Sequence, residues 1–390
     1  MEQPPDTTGK LGMLTRRSLI AGAATAVTGT LLGGQSAQGQ STALLGCNNA
    51  QACGTHRGRI DLHSHFLPPE FVEVARRHGQ FAGPPWSAEA HLAFMDRWGI
   101  EASVVSMPLN INFGDVIETR NAARAINEAG RRLLDQHPNR FGMHVCLPLP
   151  DMDGALAELR YALDTLGFDG GVLLLTHYDG VYLGDPLYEP LYQELDRRGC
   201  LAWVHPTFPP ISVPPFPGNG AAIIEWPFDT TRAATNLIYK EVLDRYPNIR
   251  WQLSHCGGAF PFVLYRIAAS HTMPQSALPT GGIPGRVGPF VYANRFFYDT
   301  GLASTKAQLE ATKEFADTSQ IVFGTDWPFT FNIFAPDAAE RWPWFTEFLP
   351  EDDDPEPALS KAFTPRERRQ IERDNPLALY PSVAARLGSG

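Results

Sequence analysis

The chain has 390 residues, a hydrophobic fraction of 43% and a formal net charge of −10 at pH 7. This length fits one large domain, because α/β barrels often reach about 250 residues or more as a single domain. The acidic balance argues against nucleic acid and anionic membrane surfaces as partners, since both repel a negatively charged protein. We therefore expect a globular protein whose partner is a small molecule.

Residues 1–40 have the pattern of an export signal and not of a folded element. Arg16 and Arg17 form a twin arginine, and an apolar stretch of roughly 14 mostly small residues follows them. This stretch is shorter than the about 20 residues that span a bilayer, so we expect no stable membrane anchor. The segment is similar to a twin-arginine signal, which predicts export to the periplasm; a disordered leader or an uncleaved anchor is the alternative. Residues 41–58 are then a linker, and one domain occupies residues 59–390.

The five cysteines predict neither a cysteine metal site nor a complete set of disulfides. Their odd number excludes full pairing within one chain, and no CxxC spacing occurs, which disfavours a cysteine-based zinc site. Cys47 and Cys53 flank a short polar loop and could pair in an oxidising compartment. Cys146, Cys200 and Cys256 lie in apolar runs and are predicted to be buried thiols.

After residue 58, short apolar runs alternate with helical patterns. Eight strands are predicted at 59–66, 102–108, 140–149, 170–177, 201–206, 249–257, 295–300 and 321–328. Amphipathic helices are predicted at 88–99, 118–138, 154–167, 187–199 and 230–247. Eight strands alternating with helices predict an α/β protein whose parallel sheet closes into a (β/α)8 TIM barrel. The Pro- and Gly-rich segments 211–228 and 274–290 are predicted to be loops at the rim of a site.

Side chains of the kind that bind metals stand at the ends of four predicted strands. His63 and His65 end the first strand and, being two residues apart, face the same side. His205 ends the fifth strand, His255 the sixth and Asp326 the eighth. Because strand ends of a barrel converge on one face, we expect the five groups to meet there. Imidazole and carboxylate groups favour a divalent metal ion, with zinc preferred and manganese as the alternative.

Each of these residues also has an ordinary structural explanation. A buried histidine in a core is commoner than a ligand, and Asp326 could cap a following helix. The metal hypothesis depends on the coincidence of all five groups at the right strand ends. His177 ends the fourth predicted strand and is a candidate for the substrate pocket. The histidines of helices and loops are predicted to lie on the surface: His56, His78, His91, His137 and His271.

Four segments carry a resemblance to a known family: "DLHSHFLPPEF", "VHPTFPP", "LSHCGGAFPF" and "FGTDWPF". They resemble the amidohydrolase superfamily, and in particular its aminocarboxymuconate-semialdehyde decarboxylase branch, which includes methylsalicylate and resorcylate decarboxylases. The resemblance covers nearly the whole chain after residue 58 and implies a distorted barrel of the amidohydrolase type. The metal ligands that it implies are His63, His65, His205 and Asp326. It implies His255 as the acid–base histidine, with Asp326 as the other candidate proton donor.

Arg266 matches an arginine of this branch that binds a substrate carboxylate from the neighbouring subunit, which implies a homodimer. A surface arginine in an ordinary salt bridge is the alternative. A second substrate arginine of that branch has no counterpart in residues 78–92, which favours an aromatic acid with one carboxylate. The aromatic residues beside the motifs could form either the wall of a flat substrate pocket or plain core: Phe208, Trp226, Phe228 and Trp327.

Together these features predict a metal-dependent, non-oxidative decarboxylase of a hydroxybenzoate-like or related unsaturated acid, which releases carbon dioxide. The same residues could serve a hydrolase of an amide, ester or lactone, because a bound metal also activates water. A binding module without chemistry is the third hypothesis, and the complete ligand set disfavours it.

Overall fold

A computed structural model describes residues 58–208, 210, 222–270, 288–303 and 305–388. Its centre consists of eight strands: β1 (Arg59–His65), β2 (Ile100–Ser106), β3 (Phe141–Met143), β4 (Gly171–Leu175), β5 (Leu201–His205), β6 (Arg250–Leu253), β7 (Phe296–Asp299) and β8 (Ile321–Val322). Each overlaps one of the eight predicted strands. A short antiparallel hairpin follows β4 and pairs His177–Tyr178 with Val181–Tyr182.

The eight strands close into a parallel barrel. Strands β1 to β3 form one run and β4 to β8 form a second. A hydrogen bond from Leu62 N to Phe323 O (2.9 Å) joins the runs on one side, and one from Val145 N to Gly171 O (2.8 Å) joins them on the other. The predicted TIM barrel is therefore confirmed. It is distorted because β3 and β8 have only three and two residues in regular pairing.

Helices follow the strands in the order that the sequence predicts. The longer ones are α1 (Pro69–Arg77), α2 (Ala88–Arg97), α3 (Val116–Gln136), α4 (Met152–Arg160), α5 (Glu189–Arg198), α6 (Glu225–Tyr239), α7 (Phe260–Ala269), α8 (Lys306–Lys313) and α9 (Pro381–Gly388). Shorter ones lie at Val242–Arg245, Pro289–Ala293, Ala338–Arg341, Pro357–Ala362, Pro365–Arg369 and Asn375–Leu379. The side chains of Ser87, Asp115 and Asp151 accept first-turn N–H groups and so fix the starts of α2, α3 and α4.

The start of α6 differs from the prediction. This helix begins at Glu225, inside a segment predicted to be a loop. Pro227 does not prevent this, because a proline in the first turn of a helix removes no intrahelical hydrogen bond. The helix therefore reaches the carboxyl end of the barrel and brings Trp226 there.

The amino end of the barrel is packed with apolar side chains. Ile60, Leu62 and Val104 of the strands pack against Tyr380 and Val383 of the C-terminal segment. The strands are buried along nearly their whole length, as expected for a parallel sheet covered on both faces. The functional face must therefore be the carboxyl end.

One histidine lies where the sequence did not predict it. His91 was predicted to be on the surface, and this is wrong, because its side chain is fully buried. It lies on the inward face of α2, 5.2 Å from the ring of Phe141, and Nδ1 accepts a hydrogen bond from Nε1 of Trp86 (3.2 Å). Cys146, Cys200 and Cys256 are buried free thiols, as predicted.

The predicted signal peptide, the linker up to residue 57, and Cys47 and Cys53 lie outside the described residues. In the described part of the chain, no helix combines the length and the apolar character needed to cross a membrane.

Candidate metal centre

The five predicted site residues meet at the carboxyl end of the barrel. His63 and His65 lie at the end of β1, and His205 is the last residue of β5. His255 follows β6 and Asp326 follows β8. All five side chains are buried. The barrel therefore brings together residues that are up to 263 positions apart in the sequence.

Four of these side chains form one compact cluster of ligand atoms. Atoms of His63, His65, His205 and Asp326 all lie within 4.8 Å of one another. Asp326 is central to it, because its Oδ1 lies 2.9 Å from Nε2 of His65 and 3.4 Å from Nε2 of His63. Three imidazoles and one carboxylate are a ligand set that suits a divalent transition metal ion.

The second ring nitrogen of each histidine in the cluster lies against an oxygen atom. Nδ1 of His65 is 3.1 Å from Oγ of Ser106, and Nδ1 of His205 is 2.9 Å from the carbonyl oxygen of Pro206. An Nδ1–H group that donates to such an oxygen leaves Nε2 unprotonated. The orientation and the tautomer of each ring are thereby set for binding through Nε2.

His63 is held in the same way by Asp299, a residue that the sequence reasoning missed. Asp299 is the fully buried last residue of β7, and its Oδ1 lies 2.6 Å from Nδ1 of His63. The available signal was an acidic residue at the end of a predicted strand, in "RFFYDT" (295–300). None of the four motifs contains it, so it did not stand out.

The buried groups fit a cation. Nε2 of His63 is buried and has no hydrogen-bond partner among the described residues. Burial disfavours the charged imidazole, yet Asp299 and Asp326 raise the pKa of His63 to about 10. Burial lowers the pKa of His65 to about 4, so that ring stays neutral. Two carboxylates provide negative charge, and the imidazoles provide lone pairs once the proton of His63 is displaced, as a divalent metal ion requires.

Close contacts between chain segments define the position of His63 and Asp326. A Cβ atom at Gly301 would lie 2.4 Å from Nδ1 of His63, and one at Gly324 would lie 2.4 Å from its Cβ, so no larger residue fits either place without a shift. The amide of Asp326 donates to the carbonyl of His63 (2.7 Å). Asp326 has a φ of 59°, and the next helix begins only at Ala338, so it caps no helix.

His255 lies beside the cluster in a strained turn. Its Nε2 is 3.5 Å from Oδ2 of Asp326. The φ angles of His255 and Cys256 are 57° and 53°, which non-glycine residues rarely adopt. The N–H of His255 donates to Asp299 (3.0 Å), and its carbonyl accepts from Nε2 of Gln308 (3.0 Å). Backbone strain that is maintained by such contacts is typical of functional sites. The imidazole of His255, lying beside the carboxylate of Asp326, is also suited to transfer protons.

The predicted aromatic wall is only partly beside the ligands. The ring of Trp226 lies 6.2 Å from that of His205, and the ring of Phe208 lies 5.8 Å from that of Trp226. Phe208 is 56% exposed, so its side chain is available at the rim. Trp327 stacks on Phe94 of α2 at 4.2 Å, which places its ring in the packing between the barrel and this helix.

His177 and Arg266 lie apart from the metal cluster. His177 is buried, and its Nε2 donates to the carbonyl of Phe208 (2.9 Å), which fastens the segment after β5. Arg266 is exposed on α7, and its guanidinium group makes no hydrogen bond or ion pair with any of the described residues. The ordinary salt bridge expected as an alternative for Arg266 is therefore not found within these residues.

Barrel and metal cluster together define a metal-dependent enzyme class. The chain belongs to the amidohydrolase family, whose model, described as "Amidohydrolase", matches residues 60–382. The resemblance to the decarboxylase branch is confirmed by individual relatives. The 6-methylsalicylic acid decarboxylase of Penicillium expansum is 31% identical over 336 residues, which are 83% of this chain and 97% of that protein.

Two further comparisons agree with this. The gamma-resorcylate decarboxylase of Rhizobium sp. (strain MTP-10005) is 28% identical over 73% of this chain and 91% of that protein. A crystal structure described as amidohydrolase II is 27% identical and superposes with a TM-score of 0.70 over 83% of this chain and 100% of that chain.

Proposed function

We propose that the protein is a metal-dependent, non-oxidative decarboxylase of a hydroxybenzoate-like aromatic acid. The observation that carries the proposal is the buried cluster of four ligands with His255 at 3.5 Å from Asp326. Two relatives, 31% and 28% identical, are named as decarboxylases of 6-methylsalicylic acid and gamma-resorcylate, which supports this reaction class.

The residues have distinct roles in this reaction. His63, His65, His205 and Asp326 would hold the metal ion, which when bound acts as a Lewis acid on substrate oxygens and stabilises developing negative charge. The pair of His255 and Asp326 delivers a proton to the ring carbon that bears the carboxylate. The carbon–carbon bond then breaks, its electron pair returns to the ring, and carbon dioxide leaves. The burial of this pair limits access of water, which strengthens its electrostatic effect.

Zinc is the metal ion that we propose. Three imidazoles and one carboxylate, with ligand atoms within 4.8 Å of one another, are nitrogen and oxygen ligands of the kind that zinc takes in proteins. Manganese is the alternative, because it accepts the same ligands with a greater preference for oxygen. Metal analysis of the purified protein by mass spectrometry distinguishes them, and the ion that restores full activity to chelated protein is the functional one.

Phe208, Trp226 and His177 are proposed as substrate-pocket residues. Trp226 extends from His205 toward the rim and Phe208 continues that surface, so a flat ring could lie against them. His177 contributes indirectly, because its hydrogen bond to the carbonyl oxygen of Phe208 positions that residue. For Trp327 the stacking on Phe94 favours the core alternative.

A homodimer with Arg266 near the partner's site is also proposed. Phe262 and Tyr265, on the same helix as Arg266, are 62% and 77% exposed. Large apolar side chains around an exposed arginine are typical of an interface. Light scattering tests the dimer, and the Arg266→Ala variant tests the arginine: an unchanged KM for the acid substrate rejects its role.

Periplasmic export through residues 1–40 is proposed on the twin arginine alone. Fractionation of cells that express the full chain tests it. The Arg16→Lys, Arg17→Lys double variant should remain in the cytoplasm, and equal export of this variant and the wild type rejects a twin-arginine route.

The reaction is tested with metal-loaded protein and a panel of substrates. We expect carbon dioxide release from 6-methylsalicylate or 2,6-dihydroxybenzoate, and no turnover of aryl esters, lactones or amides. The His255→Gln variant should lose about 10²–10⁴-fold in kcat. His78→Gln is the matched control, since His78 is an exposed histidine that directly follows α1 and pairs with Glu118, not with any residue of the metal cluster. Turnover of a lactone or amide without carbon dioxide release from any acid would establish the hydrolase alternative.

A further inference from the structure

We infer that Asp299 is a positioning residue that couples the metal ligand His63 to the proton-transfer residue His255. It contacts Nδ1 of His63, which is the ring nitrogen opposite the one that faces Asp326, and it acts through these two histidines. This deepens the proposed function, because it rests on the metal centre of that function. Its test is made on metal binding, so that it does not depend on the reaction.

The two oxygens of Asp299 accept hydrogen bonds from two different sides. Oδ1 accepts from Nδ1 of His63 (2.6 Å), from the amide of His255 (3.0 Å) and from the amide of Gly301 (3.2 Å). These donors come from β1, from the turn after β6 and from the residues after β7. One buried oxygen therefore joins three strand ends around the metal cluster.

Oδ2 is held by the interior of the barrel. It accepts from Nε1 of Trp203 (2.9 Å) and from Nε2 of Gln252 (2.9 Å). Both are buried side chains of neighbouring strands. Asp299 therefore accepts five hydrogen bonds in total, and these bonds fix the position of its carboxylate.

Asp299 differs from the oxygens that hold the other two histidines. Ser106 and the carbonyl of Pro206 are neutral, whereas Asp299 is charged. A carboxylate on Nδ1–H makes the opposite ring nitrogen a stronger donor to a metal. The same oxygen binds the amide of His255, whose φ of 57° needs such support. A shift of His63 must therefore also move His255.

The variant Asp299→Asn should break this coupling. A carboxylate offers two acceptor oxygens, whereas an amide has one oxygen and one NH₂ group. The NH₂ group that this substitution introduces would therefore lie against N–H donors that now bond to a carboxylate oxygen. If the NH₂ group faces Oδ2's partners, it opposes the Trp203 N–H; if it faces the other side, it opposes Nδ1–H of His63 and two amides. Both orientations remove an acceptor from at least one buried donor of this network.

The experiment measures the dissociation constants of Zn²⁺ and Mn²⁺ by chelator competition, together with the Co²⁺ absorption spectrum. We expect Asp299→Asn to weaken metal binding about 10–100-fold and to shift the Co²⁺ bands. Gln252→Leu is the matched control, because it also removes a buried hydrogen bond to Asp299 but leaves His63 and its charged partner in place. It should stay within a few-fold of the wild type, with a comparable loss of Tm.

The outcomes separate this inference from the proposed function. Equal metal affinity and equal Co²⁺ spectra for Asp299→Asn and Gln252→Leu overturn the positioning role. Failure of the wild type to bind any divalent metal overturns the proposed function as well. If Asp299→Asn does not fold, ¹⁵N-histidine NMR of the zinc-loaded wild type decides. We expect an Nδ1–H resonance of His63 shifted further downfield than those of His65 and His205, and a His63 without Nδ1–H refutes the inference.

Discussion

The two ends of the barrel bury charge in opposite ways. At the start of β1, the guanidinium groups of Arg59 and Arg368 meet the carboxylates of Glu372 and Asp354. Nε of Arg59 lies 3.0 Å from Oε1 of Glu372, and Arg368 contacts both Glu372 (2.7 Å) and Asp354 (2.5 Å). Two cations face two anions, so this network is neutral within the chain.

At the carboxyl end the balance is different. Asp299 and Asp326 both keep a pKa below the usual range, because His63 and other donors outweigh the effect of burial. The ring of His65 stays neutral. The two carboxylates therefore face the imidazole of His63, whose pKa they raise, and a divalent metal ion that displaces the proton of this ring would balance both charges. We therefore expect the amino-end network to contribute to the stability of the fold by itself, and the carboxyl-end cluster to bind a metal ion.

Metal removal is the strongest test of this comparison. Chelation should abolish activity, because no other group at the carboxyl end supplies a divalent charge. It should also lower the free energy of unfolding, since an ion present at about 1,000 times its Kd contributes about 4.1 kcal/mol. Denaturant unfolding with and without added Zn²⁺ measures this. In Asp326→Asn the metal-dependent increment should vanish, and activity that survives complete chelation contradicts the comparison.

The amino-end network should respond to the loss of a partner in the opposite way. Glu372→Gln leaves two buried arginines facing one carboxylate, and we expect a loss of about 3–5 kcal/mol in the free energy of unfolding. Metal stoichiometry of the folded fraction should remain unchanged. The control is Arg341→Ala, which breaks an exposed pair with Asp337 and should cost only about 0.3–0.5 kcal/mol. A similar loss in both variants would show that burial does not distinguish the two pairs.

A smaller change at the carboxyl end tests how closely the chain surrounds His63. In Gly324→Ala the new Cβ would lie 2.4 Å from Cβ of His63 and 3.3 Å from its backbone nitrogen. We expect a loss of about 1–3 kcal/mol from overpacking, with weaker metal binding. Gly288→Ala is the control, because no atom among the described residues lies within 4 Å of a Cβ there. Thermal unfolding and metal titration of both variants give the answer.

The sequence predicted the metal-binding end far better than it predicted the groups that support it. His63, His65, His205 and Asp326 stand at strand ends, where residue type and position together carry the signal. Asp299 also ends a strand, but its role depends on which donors reach it across the barrel. That information lies in the packing of β1, β6 and β7 and not in local spacing.

His91 shows a second limit of the sequence. Its position on a predicted amphipathic helix allowed either face, and a histidine is commonly assigned to the solvent side. The contacts with Phe141 and Trp86 that bury it join segments distant in the chain. Only the closed barrel determines that this face of α2 points inward.

His91 and His63 are both fully buried imidazoles, and their pKa values are displaced in opposite directions. His63 has carboxylate neighbours and a pKa raised to about 10, whereas burial lowers the pKa of His91 to about 3. In the unfolded chain a histidine has a pKa of about 6.5. Between pH values of about 3 and about 6.5, the unfolded state therefore binds a proton at His91 that the folded state does not bind. Stability should therefore decrease as the pH falls below about 6.5.

The expected contribution of His91 is about 1.4 kcal/mol per pH unit below that point. In His91→Leu this contribution disappears, so the free energy of unfolding should fall less steeply between pH 6.5 and 4 than in the wild type. Loss of the hydrogen bond from Trp86 shifts the whole curve but does not change its slope. His78→Leu, at an exposed histidine, controls for the loss of a histidine as such. Parallel curves of unfolding free energy against pH for the wild type and His91→Leu would mean that the folded protein binds a proton at His91 as readily as the unfolded chain does. Burial without a neighbouring carboxylate would then not lower the pKa of an imidazole, which contradicts the comparison of His91 with His63.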